Sequence, residues 1–325
     1  MVADMIPPLG AAAFLAAHGW AGANVVPLAG DASFRRYFRV DAGERRAVLM
    51  DAPPPHEDPR PFQAVASWLS ASGFRAPAIH AADEAHGLVL LEDFGDDRMR
   101  EAIDAAPHRA ADLYERAVDT LVELAKHAAG PFAPYDRVVL QREAGLFVKW
   151  YCPAVGTEAN EDEYRAAWDA VLGHALTDAP VTVLRDYHSE NLMLVDGDLG
   201  LLDFQDALAG HPAYDLVSLL QDARRDVDAE TECAMLDRYR VATGAGDAFM
   251  DAYYVLGAQR NAKILGIFTR LWKRDGKPRY AALCLRVWAY LERDLSHPAL
   301  APVARWFNEH VPRDRRGDPR ASSGA

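Results

Sequence analysis

The chain is poor in cysteine, in positive charge and in long apolar runs. Its three cysteines, Cys152, Cys233 and Cys284, form no CxxC pair, so no disulfide framework and no zinc site is suggested. Lysine and arginine number 35 against 48 aspartates and glutamates, a formal net charge of -13. That balance excludes nucleic acid and anionic membrane surfaces as expected partners. No stretch reaches the roughly 18 apolar residues of a membrane span. The apolar segment Ala11 to Ala17 has no basic region before it and reads as an amphipathic helix. A cytoplasmic protein with buried thiols is the expectation. One further absence is local: no lysine occurs from residue 1 to residue 125.

What is present suffices for two lobes. The chain has 325 residues, half of them hydrophobic, enough for a sizeable core. A helix is expected at 10–19, then strands at Val25 to Leu28, Tyr37 to Val40 and Arg46 to Met50. Prolines 53–55, 59 and 61 lead into a helix from Phe62 to Ser70, and Leu88 to Leu91 form another strand. Beyond residue 95 the apolar period becomes helical, as in Leu113, Ala117, Leu121 and Leu124. Further helices are expected at 160–176 and over 228–296. The pattern predicts an α+β fold: an N-terminal antiparallel-sheet lobe at 1–95 and a larger, mainly helical lobe at 96–311. The tail 312–325 is polar and expected to be disordered.

The helical part is interrupted by Asp186-Tyr187-His188-Ser189-Glu190-Asn191, then two short apolar strands around Asp196-Gly197-Asp198, then Asp203-Phe204-Gln205. Alone, each polar residue could merely shape a loop. Their joint spacing suits phosphoryl transfer from ATP. One carboxylate orients the attacking hydroxyl, while an Asn and a second carboxylate hold magnesium on the phosphates.

With these motifs, Asp206 and the segment Gly210-His211-Pro212-Ala213-Tyr214-Asp215-Leu216, the chain resembles the aminoglycoside phosphotransferase and choline kinase superfamily. That resemblance implies a protein-kinase-like bilobal fold with a cleft between the lobes. Gly30-Asp31-Ala32-Ser33-Phe34-Arg35-Arg36-Tyr37-Phe38-Arg39, Leu49 to Pro54 and Lys263 to Phe268 are similar to the anomeric kinases of N-acetylmuramate and N-acetylglucosamine in cell-wall recycling. The resemblance implies Asp186 as catalytic base, Asn191 and Asp203 as Mg2+ ligands, and a small amino sugar as substrate. It makes Asp215 a buried support for the catalytic loop. His188 would donate to a loop carbonyl or touch substrate. Gln205 would help metal or sugar, or support the loop from behind. Arg185 would pair with a carboxylate or approach the phosphates.

One family feature is missing. The strand lysine that binds the α- and β-phosphates is replaced by Met50, and Gln63 lies near the position of its partner glutamate. Losing both together is coherent, because an unpaired buried glutamate is costly. The phosphates would then be held by the loop around Gly30, Ala32 and Ser33, through backbone N–H groups and the Ser33 hydroxyl, with Arg35 or Arg36. The alternative for these arginines is a solvated strand end. Adenine is expected at Glu92-Asp93-Phe94. Glu143 and Trp150 would line a sugar pocket, or else belong to a helix packing its aromatics into the core. Arg260 or Lys263 would meet the lactyl carboxylate of N-acetylmuramate, or lie on a solvated helix face.

Two rivals stand beside this reading: a kinase of the same fold acting on choline, homoserine or an aminoglycoside, and a nucleotide-binding module without catalysis. Asp186→Asn separates enzyme from module. An enzyme loses at least about 100-fold in kcat, the usual scale for a lost general base, while ATP binding measured by calorimetry stays within about twofold. Turnover that survives the substitution would remove Asp186 from the chemistry.

Overall fold

A computed structural model describes residues 6–28 and 34–321. Gly30, Ala32 and Ser33 therefore lie outside the described residues. Nine strands occur among those described: β1 (Asn24–Pro27), β2 (Arg36–Asp41), β3 (Arg46–Asp51), β4 (Ile79–Asp83), β5 (Leu88–Glu92), β6 (Val181–Val183), β7 (Leu192–Val195), β8 (Asp198–Leu201) and β9 (Leu208–Gly210). The chain divides into two units, 1–107 with 190–207, and 108–189 with 208–325.

The first unit is built on an antiparallel sheet ordered β1-β2-β3-β5-β4. Alternation along β2 and β3 turns Phe38, Val40, Ala47 and Leu49 inward with Leu88 and Leu90. Phe14, Leu15 and Trp20, from the helix Ala11–Ala17 and the turn after it, belong to the same core. Met50 is fully buried and opposes Tyr37 on one side and Val89 on the other. The β7–β8 hairpin belongs to this unit as well. Its turn places Asp196 at φ 50° and Gly197 at φ 90°, the positive pair that a tight Asp-Gly hairpin demands. Leu201 N–H donates to Arg75 O at 2.8 Å and Leu194 N–H to Asp97 O at 2.7 Å. Gly200 lets the Phe94 ring approach, since a Cβ there would stand 2.7 Å from it.

The second unit is helical around the helix Asp247–Lys273, which is buried along most of its length. Its buried residues include Gln259, Arg260, Asn261 and Thr269 beside the apolar ones. Phe147, Tyr151, Tyr164, Trp288, Trp306 and Phe307 form an aromatic core, with Phe147 and Tyr151 stacked at 5.1 Å and Trp288 edge-on to Phe147 at 5.7 Å. β6 and β9 pair antiparallel. Cys152 and Cys284 are buried and Cys233 is exposed. No helix among the described residues is long and apolar enough to cross a membrane.

Three expectations differ from the structure. The first unit is not the single segment 1–95, because 96–107 and the hairpin return to it. β4 was not foreseen, since Ile79-His80-Ala81-Ala82-Asp83 carries one β-branched residue and little strand propensity. Residues 313–321 are ordered by contacts. Gly317 N–H donates to the Tyr151 hydroxyl at 3.0 Å, and the Arg316 guanidinium lies over Trp288 at 5.5 Å. Arg316 also donates to Val311 O at 2.9 Å. Residues 322–325 lie outside the described range.

Gly266, inside the long helix, presses on Leu146; a Cβ would stand 2.4 Å from its carbonyl carbon and oxygen. Alanine normally improves a helix interior by about 1 kcal/mol over glycine. Here Gly266→Ala should instead cost about 1–3 kcal/mol through overpacking, measured by urea unfolding. A gain in stability would show that the two segments separate at little cost.

Candidate active site

The motif residues divide at Ser189/Glu190. Asn191, Asp203 and Gln205 belong to the first unit, Asp186 and His188 to the second. In the first unit, Asp203 follows β8 at φ 58°. The Gln205 amide donates to Asp203 Oδ1 at 2.8 Å and Asn191 Nδ2 faces Oδ2 at 3.4 Å. Leu202 N–H donates to Asn191 O at 3.0 Å, which keeps the two side chains together. An aspartate and an amide in reach of each other suit a hard, oxygen-seeking cation. Rotating the Asn191 amide by half a turn would offer Oδ1 in place of Nδ2. Tyr37, partly buried, is raised to about 12 by burial and, to a smaller degree, by the Asp203 charge.

In the second unit the loop before Asp186 is anchored at successive atoms. Asp215, near the start of the helix Ala213–Leu220, accepts from Leu184 N–H at 2.6 Å and Arg185 N–H at 2.8 Å. Ser218 Oγ donates to Arg185 O at 3.0 Å, and Arg260 donates to Ser218 Oγ at 2.8 Å. Arg185 itself sits at φ 72°, a left-handed conformation that costs a non-glycine residue about 1–3 kcal/mol. Burial pushes the Asp186 carboxyl up, but the positive charges of Lys263, Arg260 and Arg185 outweigh it and hold the group below the usual carboxylate range. Asp186 is thus an ionised acceptor. Among the described residues, no other carboxylate in this unit both follows a strained residue and has three cations acting on it.

The chain matches the phosphotransferase enzyme family over residues 24–253. It belongs to that family. It is 40% identical to the N-acetylmuramate/N-acetylglucosamine kinase of Caulobacter vibrioides, over 94% of this chain and 97% of the relative. The Pseudomonas aeruginosa protein of the same name is 41% identical, over 88% of this chain and 89% of the relative. Among solved structures, a choline/ethanolamine kinase family protein from Mesorhizobium loti has a TM-score of 0.63 at 17% identity, covering 91% of this chain and 97% of the other. APH(2")-IIa, solved with streptomycin and ATP, has a TM-score of 0.59 at 15% identity, covering 90% and 98%. These structures share the fold: an N-terminal antiparallel sheet region and a helical C-terminal region.

Other family positions differ from their expected settings. Arg35 and Arg36 at the start of β2 are both paired with carboxylates. Arg36 Nε donates to buried Asp51 at 2.7 Å, and Arg35, with its side chain 11% exposed, faces Glu57 at 3.8 Å. Glu92 is held by Arg75 through bonds of 2.7 and 2.5 Å, and its N–H donates to Ala78 O at 2.9 Å. Arg75 in turn lies over the Phe94 ring at 4.9 Å. Glu143 is buried and accepts from Tyr135, Arg185 and Lys263, the last at 3.1 Å. Glu143, expected at a sugar pocket, thus sits at the centre of a buried network of these three side chains. Trp150 is half-buried in the π-helical turn Phe147–Tyr151, whose Phe147 and Tyr151 enter the core. Arg260 and Lys263 are not on a solvated face. Arg260 is 4% exposed, and Lys263 also reaches the Tyr214 hydroxyl at 3.2 Å. Tyr135 was missed, because a single tyrosine outside any motif carries no spacing signal; Tyr214 stands in the segment Gly210 to Leu216 but had been given no role.

His188 is buried, its Nε2 facing Arg224 Nη1 at 3.2 Å. Burial lowers the ring from 6.5 to about 4. Between those values the unfolded chain binds a proton that the folded chain refuses. His188 therefore costs stability as pH falls from 6.5 toward 4, by up to about 1.4 kcal/mol per unit. His188→Asn lacks this loss, so from about pH 7 to about pH 5 the variant should gain roughly 1–2 kcal/mol on the wild type in urea unfolding. A constant difference would mean that His188 titrates in the folded protein as it does in the unfolded chain, with no lowering by burial.

Proposed function

We propose that this phosphotransferase moves the γ-phosphoryl group of ATP to the anomeric hydroxyl of N-acetylmuramate or N-acetylglucosamine, in the cytoplasm. One observation carries the substrate: the near-full-length likeness, at 40% and 41% identity, to two proteins bearing that name. The chemistry is carried by Asp186, an ionised carboxylate on an anchored loop.

The C1 hydroxyl of a reducing sugar is more acidic than an ordinary alcohol, so a carboxylate below its usual pKa can orient it and accept its proton late. The C1 oxygen forms its bond to the γ-phosphorus as the bond to the β-phosphate oxygen breaks and ADP leaves. Asp186 holds the proton released from the hydroxyl. Asn191 and Asp203 would hold Mg2+, which when bound neutralises charge on the phosphates. Gln205 orients Asp203 for that task. With Met50 in place of a lysine, phosphate binding rests on the loop around Gly30, Ala32 and Ser33 and on Arg35. Arg36 stays paired with Asp51. The adenine lies along the backbone at Asp93 and Phe94.

Phosphorus NMR tests the reaction. Purified protein with ATP and Mg2+ should yield a sugar 1-phosphate from N-acetylmuramate or N-acetylglucosamine. Product formed only from choline, homoserine or kanamycin would keep the family and reject the substrate. Bound nucleotide with no turnover on any of them would reject the enzyme.

A further inference from the structure

Glu143 stands at the centre of a buried charge network beside the catalytic loop. It belongs to the helix Arg137–Ala144 and is 7% exposed. Its carboxylate accepts from the Arg185 guanidinium, from the Tyr135 hydroxyl and from Lys263 Nζ at 3.1 Å. The Arg185 guanidinium also lies over the Tyr135 ring at 5.6 Å, and Tyr135 packs on Tyr214 at 4.9 Å. The network thus holds the side chain of the one strained residue that directly precedes Asp186. Asp215 and Ser218 hold its backbone. One negative charge serves two positive ones, so the surroundings of Asp186 keep a cationic excess.

We propose that Glu143 is a positioning residue for the base: by pinning Arg185 and Lys263 it fixes where Asp186 points and how strongly those two cations act on it. This rests on Asp186 being the base of the proposed reaction. The groups acting on Asp186 are Lys263 and Arg260 from the long helix, Arg185 and His188 from its own loop, and Asp215 from the helix Ala213–Leu220. Glu143 is the anion that partly cancels the first and third.

The sign of the effect separates this role from simple support. Glu143→Gln removes a negative charge, so Asp186 should titrate at lower pH. Lys263→Met removes a positive charge, so it should titrate at higher pH. In the full-length protein, kcat for the sugar should fall roughly 10- to 100-fold in Glu143→Gln. KM for ATP should stay within about twofold, and the acidic limb of the pH profile should move down. In Lys263→Met that limb should move up. A kcat within about twofold of wild type, or limbs that stay fixed in both variants, would overturn the proposal. The carboxyl carbon of Asp186, assigned with Asp186→Asn in aspartate-labelled protein, should titrate with the same two opposite shifts by carbon NMR. That readout needs no turnover. A wild-type protein that leaves both sugars untouched would therefore reject the substrate, while the opposite shifts, or their absence, still decide the role of Glu143.

Discussion

The two hydrogen bonds that Asp215 accepts from Leu184 and Arg185 are the constraint on which the rest of the second unit's chemistry depends. They are short, 2.6 and 2.8 Å, and by donating to the Asp215 carboxyl oxygens they favour its ionised form. Burial raises Asp215 itself to about 7, against the lowering effect of the two N–H groups. Without this anchor, Arg185 would relax from its left-handed conformation toward the common regions of φ and ψ, and the direction of the following side chain would change. Ser218, Arg260 and Glu143 then refine a placement that Asp215 makes possible.

The distribution of charge follows from the same constraint. A chain with a formal charge of -13 places three cations where they act on one carboxylate, and each is itself secured: Arg185 by Glu143, Lys263 by Glu143 and Tyr214, Arg260 by Ser218. In the first unit, by contrast, several arginines are neutralised close by. Arg36 meets Asp51, Arg39 meets Asp93 and Asp96, and Arg75 meets Glu92. The first of these pairs stands directly beside Met50 in the β2–β3 register. The cross-strand ion pair thus closes the strand end beside Met50.

Local patterns made much of this legible. Short apolar segments mark β1 to β3 and β5, the helical period marks Ala110–Leu124, and the spacing of Asp186, Asn191 and Asp203 points to phosphoryl transfer. Asp215 was also readable as the loop's support. Tertiary pairing was not. Nothing in the sequence near Glu143 says that its partners are Arg185 and Lys263, 42 and 120 positions away. The return of the β7–β8 hairpin to the first unit depends on Arg75, Phe94 and Gly200 meeting, three residues with no shared period. The tail was misread because composition registers the polarity of 313–317 but not the Tyr151 hydroxyl and the Trp288 face that receive it.

That returning hairpin has a consequence for biosynthesis. The first unit closes only when residue 207 has been made, 100 residues after Pro107. At roughly 5–20 residues per second, the ribosome leaves the Phe94 ring and the Arg75 carbonyl waiting roughly 5–20 s for Gly200 and Leu201. Throughout that interval the five-stranded sheet stands without the hairpin that completes its unit, and the vectorial order of synthesis requires the helices from Ala110 to Asp169 to emerge before that last piece.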